Sequence, residues 1–177
     1  MERFWLAGGW VLGQGGRVVD KDQIIGKIRE QLKGTLEAGM EAARATTAAA
    51  TDPDSKAENK YDTRNLEASY LARGQAARVV ETREALTEYE SLRVRDYAEG
   101  QPIGEGALVA LRGGDGEFYC FVGPAAGGME VEVDGQLVMV ITRASPLGSR
   151  LLKRRKGERV EMSPGRAATA VEIVGVA

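Results

Sequence analysis

Carboxylates are the groups in this sequence whose spacing could do chemistry. Asp52, Asp54, Glu58 and Asp62 fall close together, and clustered carboxylates can hold a divalent cation such as magnesium through one or two oxygen ligands and water. The competing reading is a solvated turn whose acids cap a helix, since acids are favoured near helix N-termini. Lys56, Lys60 and Arg64 interleave with them, so residues 51–64 carry four acids against three bases. Spacing alone favours the capping turn.

Most other site chemistries are excluded. The 177 residues contain no histidine and one cysteine, Cys120, which removes histidine triads, zinc ribbons and intrachain disulfides. Cys120 lies in the apolar run Phe118-Tyr119-Cys120-Phe121-Val122, where a small buried hydrophobe is expected rather than a reactive thiol. A lone cysteine suits a reducing compartment. No stretch approaches the ~20 apolar residues of a membrane helix, so a cytoplasmic protein without membrane partners is expected.

The acidic cluster sits between two helical patterns. From Asp22, a candidate cap, to Ala50, the residues Ile25, Ile28, Leu32, Leu36, Met40, Ala43, Thr47 and Ala50 recur in steps of three and four, which places them on one stripe. Pro53 breaks the pattern. A second helical segment runs from Ser55 to about Leu92, with Leu66, Tyr70, Ala76, Ala77, Val79, Val80, Leu86 and Tyr89 as its apolar side. Two such helices bury their stripes most easily as an antiparallel coiled coil over residues 21–95, with its tip near 51–58. At 1.5 Å per residue the first arm is ~40–45 Å long.

Residues 1–20 read differently. Their apolar runs are broken by Gly8-Gly9 and Gly13-Gln14-Gly15-Gly16, which predicts an irregular extension rather than a helix. The run is short for a signal peptide and lacks the usual cleavage site. A start near Val19 is the other reading.

Beyond residue 103 the period changes to that of strands. Residues 107–111, 117–122, 129–133, 137–141, 159–162 and 170–174 are β-rich segments, separated by turn signals such as Gly113-Gly114-Asp115-Gly116, Asp134-Gly135 and Pro164-Gly165. Ser145 as cap and Pro146 at the first helical position begin one short helix with Leu147, Leu151 and Leu152 on its apolar side. The expected class is α+β, a long antiparallel helical hairpin followed by a small antiparallel-sheet domain over 103–177.

The run Ser145-Pro-Leu-Gly-Ser-Arg-Leu-Leu-Lys-Arg-Arg-Lys-Gly-Glu-Arg-Val-Glu-Met162, ending in Ala-Val-Glu-Ile-Val174, resembles the C-terminal domain of the bacterial Gre transcript-cleavage factors, the GreA/GreB family. There a serine-proline helix with paired aliphatics precedes a glycine-acid turn and a valine-glutamate strand. The resemblance covers roughly the last 75 residues, and the helical hairpin ahead of it also fits. It implies an FKBP-like domain that docks at the rim of the secondary channel of RNA polymerase, through the segment holding Ser145, Pro146, Leu147, Leu151 and Leu152. The coiled coil would reach towards the catalytic magnesium, and nucleic acid would be met only through the elongation complex.

In cleavage factors the tip carries an aspartate three residues before a glutamate-asparagine pair, and those carboxylates help bind a second magnesium and orient water. Here Glu58-Asn59 is followed by Tyr61, but Ser55 stands three residues before Glu58 and Asp54 one position further back. The resemblance assigns Asp54 and Glu58 as the catalytic, magnesium-facing carboxylates, with Asp52, Ser55, Asn59 and Tyr61 in support. Because successive helix positions are rotated by about 100°, the one-residue shift bears on cleavage more than on docking. No cofactor of its own is expected, only Mg²⁺ shared with the polymerase, which performs the hydrolysis; the chain itself is not expected to be an enzyme.

A second departure follows Leu151-Leu152. The family often has glycine-lysine there, whereas this chain has Lys153-Arg154-Arg155-Lys156. From Gly104 to Ala177 nine bases face nine acids, so a general nucleic-acid footprint is not expected and the tetrad reads as a protein-contact edge. A peptidyl-prolyl isomerase is disfavoured because the aromatics Phe118, Tyr119 and Phe121 cannot all face one pocket from a single strand. A non-catalytic secondary-channel regulator and a coiled-coil adaptor without a polymerase partner remain open beside the cleavage factor.

Overall fold

The computed structural model describes residues 11–12, 18–50, 63–162 and 170–177. Two short strands, β1 (Val11–Leu12) and β2 (Val18–Val19), precede the helices α1 (Lys21–Ala50) and α2 (Thr63–Ser91). The sheet strands follow as β3 (Leu108–Gly113), β4 (Gly116–Val122), β5 (Glu130–Val133) and β6 (Gln136–Ile141), then α3 (Pro146–Leu151), β7 (Arg159–Glu161) and β8 (Ala170–Val176). The class is α+β, as the patterns predict. No helix among the described residues is long and apolar enough to cross a membrane.

The chain divides into two compact units, Met1–Arg29 with Glu88–Ala177, and Glu30–Thr87. The first turns of α1 and the last of α2 thus belong with the sheet.

In the sheet unit the six strands run in the order β5-β6-β4-β3-β8-β7. Four of the five pairings are antiparallel, but β4 and β6 run parallel, with Tyr119 opposite Val138 and Val122 opposite Ile141. This corrects the all-antiparallel expectation. The chain reverses after β4 and again at the β5–β6 hairpin, and β6 rather than β5 takes the slot beside β4, so two reversals restore the direction. Asp134 and Gly135 both have positive φ, 52° and 74°, the geometry of the two-residue hairpin that an Asp-Gly pair favours. The outermost β5 alternates exposed Glu130 and Glu132 with buried Val131 and Val133, which blunts the open edge.

The central strands β3 and β4 are buried on both faces. On one side Val109, Leu111, Cys120, Val122 and Ile141 share a core with Leu147 and Leu151 of α3, and with Tyr97 and Ile103. The alternate positions Leu108, Ala110, Tyr119, Phe121, Val138 and Val140 are also buried, as are Ile24, Ile25, Ile28 and Tyr89 from the helix ends. The three consecutive aromatics therefore divide between faces: Phe118 packs against the α3-side core, whereas Tyr119 and Phe121 lie at the alternating positions. Burial pushes the Cys120 thiol up to about 12, consistent with an inert core residue.

Two expectations for the start of the chain are revised. Val11 and Leu12 pair with Val19 and Val18 in an antiparallel ladder, so the extension is not irregular there; the β-branched valines favour extended backbone. The α1 cap is Asp20, whose Oδ1 accepts from the Asp22 amide at 2.9 Å, because capping requires the residue just outside the helix.

In the helical unit the two chains run antiparallel. Gly39 lies opposite Val79, and Thr46 Oγ1 is 3.4 Å from Gln75 Oε1. The α1 seam keeps the expected Leu32, Leu36, Met40 and Ala43 and adds Gly39 and Thr46, while the side chains of the expected Thr47 and Ala50 lie outside the described ones. The α2 seam departs further from expectation. Gln75, Val79, Thr82 and Leu86 are the shielded positions, while Tyr70, Ala76, Ala77 and Val80 are exposed. Two polar residues within the true three-and-four spacing obscure it in the sequence.

Candidate functional site

The expected docking segment is a short helix fastened at its start. The Ser145 hydroxyl donates to the Thr142 carbonyl at 2.8 Å, and its Oγ accepts from the Gly148 amide at 3.0 Å, closing the first turn. Pro146 occupies the first helical turn, where a missing N–H costs nothing. Gly148 is required by space: a Cβ there would collide with the Thr142 carbonyl oxygen and lie 2.7 Å from Ser145 Oγ.

These residues do not all face outward. Leu147 and Leu151 are buried, Leu151 fully, and they anchor α3 to the sheet. Leu152 is half-buried against the same core. The surface of the segment is formed by Pro146 and Ser149, with Ser145 and Arg150 partly exposed. Any partner of this turn would touch those four, and the leucines would hold them in place.

The turn after α3 is equally fixed. Ile103 accepts from the Lys153 amide at 2.9 Å and donates to the Arg154 carbonyl at 2.8 Å. Glu158 takes a hydrogen bond from the Arg154 guanidinium at 3.0 Å and from the Arg155 amide at 2.8 Å. These bonds, the Arg154 side chain first, hold its carboxyl below the usual range.

A cleft of about 530 Å³ opens at the end of α2, lined among others by Glu88, Arg93, Arg95, Glu105, Pro124 and Arg143. Arg143 and Glu105 approach to 4.0 Å. Near it Tyr89 is buried, and its hydroxyl donates to the Ala125 carbonyl at 3.0 Å. Burial, reinforced by Glu105 and Glu88, raises its pKa. Lys21, only 2% exposed, donates to the Arg95 carbonyl and stands 5.5 Å from the Tyr97 ring centroid. Burial lowers its pKa against the opposing pull of Asp96 and Asp22. The sequence contains no signal for this lysine, because a charged residue in a first helical turn ordinarily reads as solvated.

The tip residues Asp52, Asp54, Ser55, Glu58, Asn59 and Tyr61 lie outside the described residues. They fall between the end of α1 at Ala50 and the start of α2 at Thr63. Among the described residues, no group of three or more acids or cysteines could hold a metal ion.

No family model matches the chain, and no curated protein matches it by sequence. Solved structures similar to it include the GreA factor homolog 1 (Gfh1) protein of Thermus thermophilus, at 20% identity and a TM-score of 0.34 over 84% of this chain and 94% of that one. Gfh1 of Thermus aquaticus shows 19% identity and a TM-score of 0.35 over 83% and 92%. The prokaryotic transcription elongation factor GreA/GreB from Nitrosomonas europaea shows 22% and 0.31 over 54% and 78%. Likenesses at these values assign no function, and the functional case rests on this chain's own residues.

Proposed function

We propose that this chain is an RNA polymerase-binding transcription factor of Gre type. In this reading the sheet unit docks at the rim of the secondary channel, the helix pair enters it, and Asp54 and Glu58 share a magnesium ion with the polymerase active site during cleavage of backtracked RNA. The observation that carries the reading is the Ser145–Leu152 segment. Its residues resemble the Gre docking motif, and each has a structural reason to be there: a capping serine, a proline at the first turn, a glycine forced by the Thr142 carbonyl, and leucines seated in the core.

A second reading, a channel occupant that does not stimulate cleavage, is favoured by one feature: Ser55 stands where the tip pattern has aspartate. The two separate in a backtracked elongation complex at limiting magnesium, comparing the unaltered chain with an Asp54→Ala/Glu58→Ala variant. Stimulated cleavage that disappears in the variant supports the cleavage factor. Binding without stimulation makes the chain a non-catalytic regulator.

A further inference from the structure

The turn joining α3 to β7 concentrates positive charge on a chain whose net charge is −2. Residues 150–161 hold six bases, Arg150, Lys153, Arg154, Arg155, Lys156 and Arg159, against two acids, Glu158 and Glu161. Internal pairing neutralises little of this. Arg154 is matched by Glu158 at 3.0 Å and Arg159 by Glu172 at 3.8 Å. Arg150 and Arg155, by contrast, donate to the backbone carbonyls of Glu161 and Gly100, which orients their guanidinium groups without cancelling their charge. Lys153 and Lys156 are exposed and have no ion pair among the described residues.

Lys153 adds an independent observation. Its φ of 68° is left-handed, at a helix end where glycine is the favoured residue. A lysine here carries a conformational cost that glycine would avoid, and it presents an ammonium group from a backbone fixed by Ile103 on both sides. A backbone already held in this way does not have to be ordered again when an anion binds.

At the other end of the same sheet, the β5–β6 hairpin bears Glu130, Glu132 and Asp134. The sheet is therefore bipolar. A nucleic acid draws its affinity from many phosphates along a lattice, and a single basic turn backed by an acidic edge offers few such contacts. A short acidic protein segment needs only this local field and the fork geometry that arginine gives to carboxylates.

We infer that the turn from Lys153 to Lys156 is a docking edge for an acidic protein segment, with Lys153 and Lys156 as its principal contacts. It is distinct from the Ser145–Ser149 surface, and its test contains no polymerase. A fluorescent oligoglutamate peptide and a short DNA duplex are titrated separately into the full chain at low salt, reading anisotropy. The peptide binds more tightly than the duplex, and its affinity falls as salt is raised. Lys153→Gly/Lys156→Gln loses about tenfold in peptide affinity, while Lys33→Gln on α1 loses nothing. Lys153→Gly alone, which relieves the left-handed backbone, keeps or raises the melting temperature, so a weakened complex cannot be blamed on unfolding. Absence of peptide binding, tighter binding of the duplex, or an unchanged affinity in the double variant would overturn the assignment.

Discussion

The two units reach stability by different means. In the sheet unit the central strands are buried on both faces, and the largest enclosed side chains, Tyr89, Phe121, Ile24, Ile28 and Leu111 among them, all belong to it. In the helical unit only Leu32 and Ala85 are buried among the described side chains, and the seam is otherwise half-covered, with Leu36, Met40, Val79 and Leu86 interspersed with the small or polar Gly39, Ala43, Thr46, Gln75 and Thr82. A half-covered seam with small and polar residues among its leucines and valine removes less apolar area from water than a closed core does. The helical unit therefore leans on backbone propensity, whereas the sheet unit leans on packing.

The largest effect is expected from Leu151→Ala. That side chain is fully enclosed between α3 and the sheet, and its truncation costs about 3 kcal/mol, read as a drop in the denaturant midpoint of the sheet unit. Gly148→Ala comes next, at about 2 kcal/mol, because the atom its Cβ meets is a backbone carbonyl that cannot swing aside. Two glycines of the helical unit behave in the opposite sense. Gly34 and Gly74 have nothing within 4 Å of a built Cβ, so alanine at either raises stability by about 0.5–1 kcal/mol through helix propensity. If Gly34→Ala destabilised the chain as Gly148→Ala does, the contrast between the units would be wrong.

A smaller effect is expected with pH. Burial depresses the Lys21 pKa below its ordinary 10.5, so the unfolded chain holds that proton more tightly than the folded one. Stability linked to Lys21 then rises with pH between the folded pKa and 10.5, and Lys21→Met removes that rise. Chemical denaturation at several alkaline pH values checks the sign.

Features governed by local rules were legible in the sequence. Ser145, Pro146 and the apolar spacing of Leu147 and Leu151 predict α3 and its cap, and Asp134-Gly135 predicts the hairpin. Features set by long-range placement were not. Nothing local tells β6 to insert beside β4, and Gln75 and Thr82 on the α2 seam look like surface residues until α1 lies against them. Leu147 and Leu151 read from their spacing as the apolar side of α3, and the completed sheet shows what that side is buried against. The candidate tip is legible only through its resemblance, since Asp54 and Glu58 lie outside the described residues.

In the proposed reading the sheet unit carries the polymerase affinity and the tip does not. Its most direct test is the affinity of the full chain for core RNA polymerase, measured for the unaltered protein, for Pro146→Asp on the exposed start of α3, and for Asp54→Ala/Glu58→Ala. The account predicts binding that Pro146→Asp weakens by at least about tenfold and the tip variant leaves within about twofold. No binding by the unaltered chain, or equal binding by Pro146→Asp, would contradict it.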